Sequence, residues 1–122
     1  MHNDSILDIK EILNDYSTDI QTEIVKSAQE VAKKGRDTLR NTSPRRTGSY
    51  RKGWTVKTEK GRNTITCIIY NKTDYRLTHL LEKPHLKRNG GYTKPIVHIQ
   101  PVDETCVNEF EKQVENIIKN GG

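Results

Sequence analysis

Between Thr18 and Asn41 the small and apolar residues Ile20, Ile24, Ala28, Val31, Ala32, Gly35 and Leu39 recur at spacings of three and four. Gln21, Glu23, Lys26, Glu30, Lys33 and Lys34 take the opposite face. This is the period of an amphipathic helix. At 1.5 Å per residue it runs roughly 36 Å, enough to cross a domain whose radius of gyration is about 14 Å. The rest of the chain must be built on that stripe. Thr18 followed by Gln21 reads as a capping box at its start, and Asn41-Thr42-Ser43-Pro44 stops it. Upstream, Asp4 is placed to cap a first helix carrying Ile6, Ile9 and Leu13. One unbroken helix over 4–41 would reach roughly 57 Å and overhang the domain, so a break is expected near Ser17.

The middle of the chain changes period. In Tyr50–Glu59, Trp54 and Val56 alternate with Lys52, Thr55 and Lys57. Lys60-Gly61-Arg62-Asn63 is a turn, and in Thr64–Tyr70 the residues Ile65, Cys67 and Ile69 oppose Thr64, Thr66 and Ile68. The pair reads as a β-hairpin. Asp74 is placed to cap a short helix near 75–83 with Leu77, Leu80 and Leu81, ended by Pro84. Residues 83–95 form a basic, Gly-bearing loop long enough to be a binding loop. Ile96–Ile99 reads as a strand ended by Pro101, and Asp103 as the cap of a final helix over 103–119 carrying Val107, Phe110, Val114 and Ile117. The expected fold is α+β in one domain over 1–122. A central antiparallel sheet of three to four strands is packed by the long N-terminal helix and the C-terminal helix.

Composition narrows the classes. Of the 122 residues 31% are hydrophobic, against about 45–50% on a usual count that also includes Gly. A thin core favours an oligomer-dependent protein over a large-pocket enzyme. No run approaches the ~18 apolar residues of a membrane span, and the acidic N-terminus does not read as a secretory signal. Two cysteines, Cys67 and Cys106, make no disulfide framework. The acceptor patterns at Asn41 and Asn71 are accordingly read as chance matches. The expectation is a soluble protein made inside the cell. The net charge of +5 hides a division: −3 over residues 1–35, +7 over 36–62, +4 over 63–99 and −3 over 100–122. Such regions steer nucleic acid or dock copies of a chain on one another.

The chemistry-bearing clusters are weak. His79, Glu82 and His85 lie three apart, with His98 as a third imidazole, but no His-Glu-Xaa-Xaa-His stands here and Pro84 interrupts the spacing. A metal-dependent enzyme on these four is the least favoured class. Cys67 and Cys106 read as buried thiols. Asn89-Gly90-Gly91 reads as a tight turn at a loop tip, not a phosphate loop. Arg45-Arg46-Thr47-Gly48-Ser49-Tyr50-Arg51-Lys52 is the densest basic run, and with Tyr50 and Trp54 it keeps a small basic nucleic-acid-binding module as the alternative function.

Three segments stand in a telling order. Ser43-Pro44-Arg45-Arg46-Thr47-Gly48 leads to Trp54. Asn71-Lys72-Thr73-Asp74-Tyr75 leads to Glu82. Pro95-Ile96-Val97-His98-Ile99-Gln100-Pro101 then enters an acidic helix. Together they resemble the tail-completion, or head–tail joining, family of long-tailed double-stranded DNA phages and prophages. The chain departs from that pattern at Pro84, where members often carry Gly. The resemblance implies a virion protein made in the bacterial host cytoplasm, with no catalysis, cofactor, metal or membrane. It implies a ring, often hexameric, of copies of the chain, which completes the tail end and joins it to the DNA-filled head. The implied partners are the connector or head-closure protein and the major tail protein or tail terminator, with DNA passing through the ring without sequence specificity. The interface candidates are Arg45, Arg46, Thr47, Gly48, Tyr50, Arg51, Tyr75, Glu82, Lys87, Arg88 and Lys94. Among these, Thr47-Gly48 is expected to turn the backbone between helix and sheet.

Overall fold

The computed structural model describes residues 7–44, 48–82, 87–92 and 94–121, without the side chains of Leu7, Tyr75, His79 and Leu80. The element order is β1 (Leu7–Ile12), α1 (Thr18–Thr42), α2 (Ser49–Lys52), β2 (Trp54–Lys60), β3 (Thr64–Asn71), α3 (Tyr75–Glu82) and α4 (Ile99–Gly121). The fold is α+β: a three-stranded antiparallel sheet of order β1-β3-β2, with α1 and α4 packed against it.

The helix break falls where chain length required it, but the piece before it is a strand. Ile9 pairs with Cys67 and Ile12 with Thr64 along β3. The spacing of four between Ile9 and Leu13, both buried, repeats a face in a strand as well as in a helix. What decides is β3: with β2 on one side, its other edge needs a partner for its N–H and C=O groups, and β1 supplies it. The expected cap at Asp4 lies outside the described residues. Ser17 caps α1, its hydroxyl accepting from the Ile20 N–H at 3.3 Å. Gln21 does not close a capping box with Thr18. Its Nε2 donates to the carbonyls of Leu13 at 2.9 Å and Tyr16 at 3.0 Å, tying the turn to the helix.

Strand β3 alternates as its sequence does, with Ile65, Cys67, Ile69 and Asn71 inward. The inward face meets Ile24, Ala28, Val31, Ala32 and Leu39 of α1 and Val102, Cys106 and Phe110 of α4 in one core. Gly35 lets the layers come close: a Cβ there would lie 2.6 Å from Cys106 Sγ and 2.9 Å from Ile69 Cδ1. Burial pushes the Cys106 thiol up to about 11, and Asp103 and Glu109 add to the rise. Burial also raises Cys67, outweighing its contact with the Thr58 hydroxyl. Both thiols are free and buried. Among the described residues no helix packs on the other sheet face, which carries Ile12, 60% exposed, with the half-buried Ile68 and Tyr70.

Three further expectations are corrected. Tyr50 does not open a strand; it sits in the one-turn helix α2, and β2 starts at Trp54. Ile96–Ile99 forms no strand: the segment follows α3, where the Ile96 N–H reaches the Leu81 carbonyl at 2.6 Å, and it does not pair in the sheet. The last helix begins at Ile99, not at Asp103. Pro101 falls inside its first turn, where a missing N–H leaves nothing unsatisfied.

Candidate functional site

Gly48 takes φ +93°, a left-handed conformation that suits glycine, and aims α2 back against the end of α1. Tyr50 is thereby fully buried, its ring 5.5 Å from that of Trp54 and 5.6 Å from that of His98. Around this cluster the polar atoms find one another. Trp54 Nε1 donates to Ser43 Oγ at 2.8 Å, Arg51 Nε to the Ser43 carbonyl at 2.6 Å, and Asn71 Nδ2 to the Tyr50 carbonyl at 2.6 Å. Asn71 Oδ1 accepts the N–H groups of Thr73 at 3.3 Å and Asp74 at 2.8 Å, which shapes the turn into α3. Asp74 does not use its side chain as the expected cap. Its carbonyl receives the Leu77 N–H, and its carboxylate accepts from the Ser49 and Thr73 hydroxyls.

A second line of contacts runs from Tyr50 to α4. Tyr50 Oη lies 2.7 Å from His98 Nε2. His98 Nδ1 lies 2.7 Å from the Ile96 carbonyl and 2.9 Å from Glu82 Oε1. Two acceptors beside Nδ1 place a proton there, so in the neutral ring Nε2 accepts the Tyr50 hydroxyl. Glu82 also accepts the N–H groups of His98 at 2.9 Å, Ile99 at 3.0 Å and Gln100 at 3.0 Å. A side chain of α3 thus caps the start of α4. Burial alone would raise the Glu82 carboxyl; the three N–H donors, with the imidazole, outweigh it and hold the group below its ordinary value. Burial pushes the Tyr50 phenol well up, reinforced by Glu82 and Asp74, and keeps it a donor.

The order Tyr–His–Glu has the look of a proton relay, but its geometry is that of a latch. A groove of about 610 Å³ between α1 and the start of α4 reaches His98 and not Tyr50, whose hydroxyl meets no solvent. Of the four metal-ligand candidates, Glu82 and His98 touch, while His85 and the His79 side chain lie outside the described residues. Among the described residues no three His, Cys, Asp or Glu converge on a metal position.

The other interface candidates divide. Arg45, Arg46 and Thr47 lie outside the described residues, as do Pro84 and the Tyr75 side chain. Gly48, Tyr50, Arg51 and Glu82 belong to the latch. Lys87, Arg88 and Lys94 are exposed. Lys87 opens, and Arg88 lies within, a turn closed by the Lys87 N–H to the Gly91 carbonyl at 2.6 Å, with Gly90 at φ +96°. Ser43, Asn71 and His98 were not legible as members of one cluster. Trp54 lies 11 positions from Ser43 and Tyr50 lies 48 from His98, and no local period links such pairs.

A family model described as "Bacteriophage HK97-gp10, putative tail-component" matches residues 8–83. The chain belongs to the HK97-gp10-like family. No curated protein and no solved structure matches it. The stretch shared with this phage tail-component family runs from β1 through α3 and takes in Ser43, Tyr50, Trp54, Asn71 and Glu82. His98 and α4 lie beyond it, joined to it through Glu82. Among the described residues, no helix of this HK97-gp10-like chain is long and apolar enough to cross a membrane.

Proposed function

We propose that this protein is a structural subunit of the phage head–tail interface, which completes the tail end and joins it to the DNA-filled capsid as a ring of copies of itself. The family match over residues 8–83 carries this reading. The distribution of exposed apolar side chains supports it. Ile12 is exposed on the outer sheet face, Val107 and Ile118 on α4, and Tyr92, Ile96 and Val97 in and just after the basic loop. A head-to-tail ring needs two different complementary faces on each subunit. Here α4 and its surroundings, at −3 over residues 100–122, oppose the +7 of residues 36–62. The connector or head-closure protein and the major tail protein or terminator are the partners on the two sides, and DNA threads the ring.

The test is genetic and visual. A phage deleted for this protein accumulates filled heads and separate tails under the electron microscope, and supplying the protein restores joined particles. Joined, infectious particles in its absence would end the reading.

A further inference from the structure

Three cations meet where the end of α1 passes α2. Among the described residues, Arg40, Arg51 and Lys52 line a cleft of about 220 Å³. Both arginines are held by their inner nitrogens: Arg40 Nε donates to the Trp54 carbonyl at 3.1 Å, and Arg51 Nε to the Ser43 carbonyl at 2.6 Å. A guanidinium anchored at Nε keeps its two terminal nitrogens oriented and available, so little conformational freedom remains to be lost on binding.

The nearby carboxylates are engaged elsewhere. Asp37, one turn before Arg40, pairs with Arg36 at 3.0 Å. Asp74 accepts from the Ser49 hydroxyl at 2.6 Å. Among the described residues, Arg40, Arg51 and Lys52 make no ion pair. Three like charges around one cleft repel, and an anion placed between them relieves that repulsion. Two oriented guanidinium forks and one ammonium supply more donors than a single carboxylate accepts, and they match the oxygens of a phosphate group. We infer that the Arg40–Arg51–Lys52 cleft is a phosphate-binding site, filled by a phosphodiester of a nucleic-acid backbone or by a free phosphate. The inference stands on this geometry and is independent of the ring.

The test uses the full chain. Inorganic phosphate is titrated while the Nε–Hε resonances of Arg40 and Arg51 are followed by NMR. Duplex DNA of mixed sequence is then titrated across a salt series. Both resonances are expected to move with phosphate. With duplex, Lys52→Glu is expected to flatten the plot of log affinity against log salt by about 1. Lys119→Glu makes the same charge change on the exposed last turn of α4 and is expected to leave the slope unaltered. Movement with inorganic phosphate but not with duplex assigns the site to the free ion and supports it in that form. Three results overturn the proposal: resonances that stay still in both titrations, equal effects of the two charge reversals, or resonances that move with protein concentration in the absence of phosphate. The last would assign the cleft to a carboxylate of a second copy.

Discussion

Tyr50, Trp54, Asn71 and Glu82 turn their polar atoms toward one another and toward backbone groups, while Arg40, Arg51 and Lys52, on the same short stretch of the fold, line an open cleft. The first set includes the residues through which the family is recognised. The second brings three cations around one opening. Arg51 links the two, its Nε donating to the Ser43 carbonyl while its side chain lines the cleft. The difference teaches that in this domain the buried polar groups hold the subunit together, while the cations at the rim of the cleft are left open to a ligand, as proposed above.

Removing the Glu82 charge should break the comparison most visibly. Glu82→Gln takes a carboxylate away from three backbone N–H groups and His98, and charge-assisted bonds of this kind are each worth about 1.5–3 kcal/mol. A loss of about 3 kcal/mol is expected, read as a lower urea midpoint at unchanged slope. The same residue sets an acid limb. Because the folded carboxyl lies below its ordinary value of 4.5, its contribution is complete above that value. It fades as pH falls through the folded value. The glutamine variant should lose that part of the acid dependence in parallel melts.

Gly35→Ala comes next. A methyl group 2.6 Å from Cys106 Sγ and 2.9 Å from Ile69 Cδ1 forces α1 away from α4 and β3, for an expected cost of about 1–3 kcal/mol by chemical denaturation. Trp54→Phe keeps a ring beside Tyr50, but it removes the bond to the buried Ser43 hydroxyl and part of a fully buried indole's volume. A cost of about 2 kcal/mol is expected from the unsatisfied hydroxyl and the space left behind, read by chemical denaturation. The smallest effect belongs to the rim. Replacing Lys87, Arg88 and Lys94 together with Ala should shift stability by no more than about 0.5 kcal/mol per site, while weakening self-association in sedimentation. An unfolded triple variant would erase the distinction between latch and rim.

Much of the fold was legible because it follows local periods. The stripe from Ile20 to Leu39 and the alternation from Thr64 to Tyr70 each specify an element without outside help. The misreadings have definite physical sources. Ile9 and Leu13 stand four apart, a spacing common to both periods, and only the open edge of β3 decides for a strand. Ser17 and Thr18 are both competent caps, and the extended backbone of Ser17 decides between them. The beginning of α4 was invisible because its cap is not local: Glu82 lies 16 to 18 positions before the N–H groups it receives. The cluster beneath it was hidden for the same reason. Pairs such as Tyr50 with His98 are matched by shape and hydrogen bonding across the core, which a linear pattern does not encode.

That remote cap has a consequence for timing. A helix that closes its first turn with its own neighbour can start wherever it is made. Residues 99–121 instead depend on a carboxylate that α3 presents, and α3 is placed in turn by the Asn71 turn at the end of β3. The C-terminal helix is therefore capped only when α3 and the end of β3 are in place, so its first turn reports on the assembly of the rest of the subunit.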